Sequence, residues 1–137
     1  MKSLIQSIFI LLFFSSFCFA QEQKEVKEIY EKTEDKRIII LGRDYSHQPK
    51  YSDFPDLMFV IYPRESDNFW TACTVRKDEK KFESRKKLPS SWGGLKDAEL
   101  QKVTGVPDAV FCHRALFMAV AKSKDGAIKL AELVLSV

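Results

Sequence analysis

The pattern of apolar and polar positions divides the chain into a greasy opening, a charged stretch, and a remainder of short β-type runs separated by turn formers. The opening, MKSLIQSIFILLFFSSFCFA, has Lys2 ahead of a mostly apolar core from Leu4 to Phe14 and ends in Cys18-Phe19-Ala20. Small residues fall at the two positions a signal peptidase inspects, and the polar QEQKEVKE follows at once. This is the pattern of a cleaved secretory signal over residues 1–20. As a permanent span the apolar run is short, and Ser15 and Ser16 weaken its end, so no stable membrane span is expected after cleavage. A lipid-modified Cys18 fits less well, because bulky Phe17 precedes it.

Residues 21–37, QEQKEVKEIYEKTEDKR, set Val26, Ile29 and Tyr30 at helical spacing among charges of both signs. The stripe is narrow, which predicts a solvated helix or linker with little to bury. RIIILG switches abruptly to β-branched residues closed by Gly42 and reads as a strand. RDYSHQPKYSDFPD, with its prolines and turn formers, reads as a loop. LMFVIYP is apolar on both alternating faces, as a strand covered on both sides is, and FWTACTVR follows it across RESDN, so the two read as an antiparallel hairpin. LKDAELQKVTG is a short helix stopped by Gly105 and Pro107. DAVFCH and LFMAVAK are two further strands. Ser123 then caps a last helix, in which Ala127, Ile128, Ala131, Val134 and Leu135 recur at helical spacing.

Strands mixed with segregated helices make a single α+β domain over residues 38–137. The expected architecture is a small, mostly antiparallel or mixed sheet with two helices, preceded by the signal and the charged segment. A chain of 137 residues has room for one domain. The formal net charge is +3, and removing Lys2 with the signal leaves 21 basic (22 − 1) against 19 acidic side chains. No global field strong enough to hold nucleic acid non-specifically follows from that balance, so any such binding must come from a local patch. Cys73 and Cys112 both sit in apolar runs, which favours buried free thiols over a disulfide framework. The signal places the mature domain outside the cell, or in a compartment reached through the secretory pathway.

Three clusters carry chemistry worth testing. His47 lies near Asp44, Asp53 and Asp56, but no recognised metal-loop spacing is present, and Asp and Pro there serve as turn formers. Cys112-His113 resembles a nucleophile and its base. On a strand, however, adjacent side chains point to opposite faces, so a buried Cys112 beside an outward His113 is expected. RKDEKKFESRKK holds seven basic and three acidic residues around Phe82. Such a run is usually a solvated loop, although Lys and Arg could also line a phosphate track while the ring stacks on a base. Trp92 before Gly93-Gly94 reads as an aromatic that closes a turn onto the core.

FESRKKLPSSWGGLKDAELQKVTGVPDAVFCH, continued by FMAVAKSKDGAIKLAE, resembles the C-terminal part of the melanocyte proliferating gene family. The order carries the match: Phe82-Glu83-Ser84-Arg85-Lys86, Leu88-Pro89, Trp92, Gly94-Leu95, Glu99-Leu100 and Val103, then Gly105-Val106-Pro107, Phe111, His113, Phe117, Lys122 and Gly126-Ala127. The upstream strand pair also fits, so the resemblance spans about residues 38–137. It implies kinship with DHH-like, metal-dependent phosphoesterases that act as RNA exonucleases. Their metal-binding and hydrolytic residues, including an Asp-His-His triplet, lie in an N-terminal half with no counterpart here. No catalytic residue and no cofactor are therefore expected within this chain; the divalent metal belongs to the missing half. Family members also tend to have small residues, often Gly, around Arg114-Ala115-Leu116 and at Val120, where this chain does not.

What the resemblance implies is a non-catalytic accessory domain that binds single-stranded RNA or another phosphorylated ligand, or a partner protein. Arg85, Lys86 and Lys122 are the expected phosphate contacts, with His113 as a neutral or cationic partner. Two alternatives stand beside it. One is a truncated or partner-completed metal-dependent hydrolase of that family; the other is a protein-interaction domain whose ligand site has decayed.

Overall fold

A computed structural model describes residues 2–45 and 49–137, with side chains described from residue 17 onward. The described residues form three helices and five strands: α1 (Lys2–Lys32), β1 (Ile38–Ile40), β2 (Phe59–Pro63), β3 (Trp70–Thr74), α2 (Asp97–Thr104), β4 (Ala109–Cys112), β5 (Met118–Ala121) and α3 (Lys124–Leu135). The strands make one mixed sheet in the order β1-β2-β3-β5-β4. β1 runs parallel to β2, and every other pairing is antiparallel. This is the α+β fold with segregated helices that the hydrophobic pattern predicts, and β2–β3 is the expected hairpin. Among the described residues no helix is long and apolar enough to cross a membrane.

Two cores follow from the period of two along each strand. On one face Ile38, Phe59, Ile61, Ala72, Ala119, Ala121 and Cys112 pack against α3 and the α2 segment through Leu100, Leu130, Ala131 and Val134. On the other, Ile39 and Val60 join Leu41, Tyr45, Phe54, Leu57 and Val75 beneath α1. LMFVIYP is apolar at every position because β2 is covered on both faces.

α1 buries more than its narrow stripe suggests. Val26 is completely buried, and Ile29 and Tyr30 pack against the same cluster. These residues share the sheet face with Tyr45, Phe54 and Leu57 of the loop, so a few apolar side chains suffice. Arg43 secures the contact, with its guanidinium 3.0 Å from the Glu25 carboxylate and 3.4 Å from that of nearly buried Glu22. The helical backbone runs without a break from residues 2–20 into the charged segment.

Two devices fix the ends of the helices. Gly105 closes α2 in the left-handed conformation, φ 73°, where a β-carbon would be strained. Ser123 caps α3 by accepting from the Gly126 N–H at 3.0 Å. The Asp108 carboxylate in turn accepts from both the Ser123 N–H and its hydroxyl. Gly126 is where that carboxylate comes closest, and a β-carbon there would run into it.

Candidate functional site

The β4–β5 connection is a tight turn. The His113 N–H donates to the Met118 carbonyl at 2.9 Å, and the Leu116 N–H donates back to the His113 carbonyl at 2.9 Å. The Ala115 N–H donates to His113 Nδ1 at 2.9 Å, which fixes the imidazole. Thr74 holds the end of the turn, its N–H donating to the Phe117 carbonyl at 2.8 Å. A second loop arrives through the bridge between Arg76 and Ser84 and brings Phe82 alongside.

These contacts line up a row of rings. The Arg76 guanidinium lies 4.6 Å from the Phe82 centroid. Phe82 meets Phe117 edge-on at 5.3 Å and 74°, Phe117 meets His113 at 4.5 Å and 53°, and His113 meets Phe111 at 6.2 Å and 78°. Edge-to-face geometry is what ring quadrupoles favour. Phe82 nevertheless remains 64% exposed, an unusual state for a large apolar side chain. Lys80 and Lys81 precede Phe82 in its loop and Lys87 follows it, all three exposed and without an ion pair among the described residues. Lys77 is held 2.6 Å from Glu83.

The four residues expected from sequence to contact ligand do not share one place. His113 stands in the ring row. Arg85 points inward: its guanidinium donates to the carbonyls of Phe54, Leu57 and Ser52 at 2.5–2.8 Å. The Lys86 ammonium donates to the Val137 carbonyl at 3.0 Å. Lys122 is exposed at the opposite end of β5 from Phe117, roughly 16–17 Å away by strand rise. Cys112 belongs to the buried core while His113 sits among the aromatic rings. Trp92 is buried as the anchor of its turn.

Beside Phe82 and Phe117 opens a cavity of about 420 Å³, lined also by Tyr45, Tyr51, Tyr62, Cys73, Thr74 and Ser84. No sequence motif signals it, because its tyrosines come from a loop and a strand brought together by the sheet. A second, shallower cleft adjoins it across Asp44 and Tyr62, with Phe111 and Met118 farther along. Burial raises the Tyr51 phenol and pushes Tyr62 up to about 12, so both stay neutral donors. Asp44 is raised, first by burial and then by Glu65 and Glu22.

Burial also pushes the thiols of Cys73 and Cys112 up to about 11. Each thiol is held neutral in the fold but ionises near pH 9.0 when the chain unfolds. Stability is therefore full below about pH 9 and falls as pH rises toward about 11. The expected result is a melting temperature that drops across this window. Peptide-resolved alkylation at pH 8 should leave the fully buried Cys112 far less modified in the native than in the denatured chain. Rapid native labelling of Cys112 would contradict it.

Among the described residues no group of three or more His, Cys, Asp or Glu side chains could hold a metal. His47 lies outside the described residues. His113 has phenyl rings for neighbours, and its Nδ1 already accepts a backbone N–H, so this corner does not fit a divalent-cation site.

Comparison with known proteins gives these features a context. The family model MYG1_exonuc, described as "Uncharacterised protein family (UPF0160)", matches residues 3–135. The chain belongs to this family. A MYG1 exonuclease of Homo sapiens is 34% identical over 80 residues, covering 58% of this chain and 21% of that protein. A MYG1 protein of Saccharomyces cerevisiae is 37% identical over 78 residues, 57% of this chain and 23% of its own length. One of Chlamydia pneumoniae is 39% identical over 78 residues, 56% of this chain and 26% of its own. The matched stretch thus spans about a fifth to a quarter of these MYG1 relatives. No solved structure matches the chain significantly.

Proposed function

We propose that the chain is a non-catalytic accessory domain of the MYG1 exonuclease family that binds single-stranded RNA. The observation that carries this reading is the ring row. Phe82 stands exposed under the Arg76 guanidinium, in line with Phe117, His113 and Phe111, in a loop that also carries the exposed Lys80 and Lys81. Aromatic faces with nearby cations are what an unpaired strand requires: bases stack on the rings and phosphates follow the charges. The human relative is named an exonuclease, which supports a nucleic-acid ligand. The non-catalytic part rests on the donor set: a buried Cys112 and a half-buried Cys73, where the sequence led one to expect both buried, each thiol pushed up, a histidine walled by phenyl rings, and no carboxylate–histidine cluster among the described residues.

The test is fluorescence anisotropy of a short single-stranded RNA across a salt series. Phe82→Ala should weaken binding by about 1–3 kcal/mol, the usual worth of one stacked base, and leave folding intact because the ring is exposed. A Lys80→Ala/Lys81→Ala pair should weaken binding and flatten its salt dependence. Absence of binding at low salt would sink the proposal. Turnover of RNA by the chain alone, with divalent metal added, would sink its non-catalytic half.

A further inference from the structure

We propose that the cavity beside Phe82 is a single-base pocket, which takes the flat heterocycle of one nucleotide while its neighbours follow the ring row. This deepens, and rests on, the reading of that row as a single-strand site. Continuity is the first argument: Phe82, Phe117 and Arg76 belong both to the row and to the cavity wall, so a strand on the rings passes the opening. Shape is the second. The space of about 420 Å³ falls within the range of small-ligand clefts, and its floor, Val60 and Val75, is buried and apolar. Tyr45, Tyr51 and Tyr62 add three aromatic walls suited to a planar ring.

Thr74 Oγ1 lies 3.1 Å from the Phe117 carbonyl, to which it can donate. In the 2.6 Å contact with Ser84 Oγ either hydroxyl can donate, and in both arrangements Ser84 Oγ keeps a lone pair that can accept a base N–H. Two carboxyls share the lining: Glu79 accepts from the Ser52 hydroxyl at 2.7 Å, which turns it toward that loop, and burial raises Asp44. Arg76, exposed on the rim, supplies the compensating cation.

The experiment uses the full chain, a labelled octaadenylate, the same oligomer with one abasic residue placed at each position in turn, and free AMP. At one position the abasic residue should cost at least about tenfold in affinity. Cys73→Phe, which fills the cavity from its β3 wall, should abolish that penalty and any binding of AMP. If Cys73→Phe is not folded by circular dichroism, Ser84→Ala makes the same comparison. A folded variant that keeps the wild-type affinity and abasic profile overturns the pocket while leaving the ring row intact. AMP binding sensitive to Cys73→Phe without oligomer binding upholds the pocket and removes the row. Neither ligand binding overturns both.

Discussion

Arg85→Ala lowers the stability of the chain by roughly 2–4 kcal/mol and does so without touching the exposed ring row. The guanidinium is half-buried and donates to three carbonyls, those of Ser52, Phe54 and Leu57, which sit about thirty residues earlier in the chain. It pins the loop after β1 to the strand side of the basic segment, and Phe54 in that loop packs with Tyr30 of α1 at 4.8 Å. Alanine leaves carbonyls without donors and loosens both attachments. Arg85→Lys should recover only part of the loss, because a single ammonium cannot reproduce the planar fork that spans all three oxygens. Urea denaturation measures the difference, and RNA affinity of the folded fraction should stay near wild type. A variant of unchanged stability with lost RNA binding would show instead that Arg85 is a phosphate contact.

Trp92→Ala has the other large effect, about 3–5 kcal/mol, the usual cost of removing a buried large aromatic. Its consequence reaches the site, because the Trp92 turn supports the β4–β5 connection from below. The Gly94 N–H donates to the Cys112 carbonyl at 3.0 Å, the Leu88 N–H donates to the Leu116 carbonyl at 3.0 Å, and Gly93 faces the Leu116 side chain. Loss of the indole should therefore lower both the melting temperature and RNA affinity, whereas Phe82→Ala lowers affinity alone. Trp92→Phe should retain most of both. If Trp92→Ala melts like wild type, the indole is not the anchor that its burial indicates.

The fold was legible because each strand announces itself locally. RIIILG, LMFVIYP, FWTACTVR, DAVFCH and LFMAVAK all contain the strands that form, and Ser123 caps α3 as its position suggests. The site was legible only in part. Phe82 and His113 are visible as an aromatic within a basic run and a histidine after a strand, but their alignment depends on Phe117, which the sequence marks only as one position of the family match. Arg85 illustrates the limit. Its neighbours in sequence are cations, so it reads as one more, yet its partners arrive from a loop that only the tertiary fold brings near. The cavity tyrosines are hidden for the same reason. Leu116 shows a different case. It occupies φ 65°, a conformation that favours the small residues expected there by resemblance, and its side chain compensates by packing over Gly93 against the core. Val120, the other such position, is simply core.

The Asp108 carboxylate has a bearing beyond holding α3 in place. A helix N-terminus is a natural berth for a phosphate, and here exposed Lys122 stands next to one. Asp108 already occupies that berth, bonded twice to Ser123, so the helix carries its own counter-anion. An incoming phosphate would have to evict a neighbour covalently tethered to the same chain. The domain therefore has one pole that is closed from within: where β5 runs into α3, the place of an incoming anion is already taken by a side chain of the same domain.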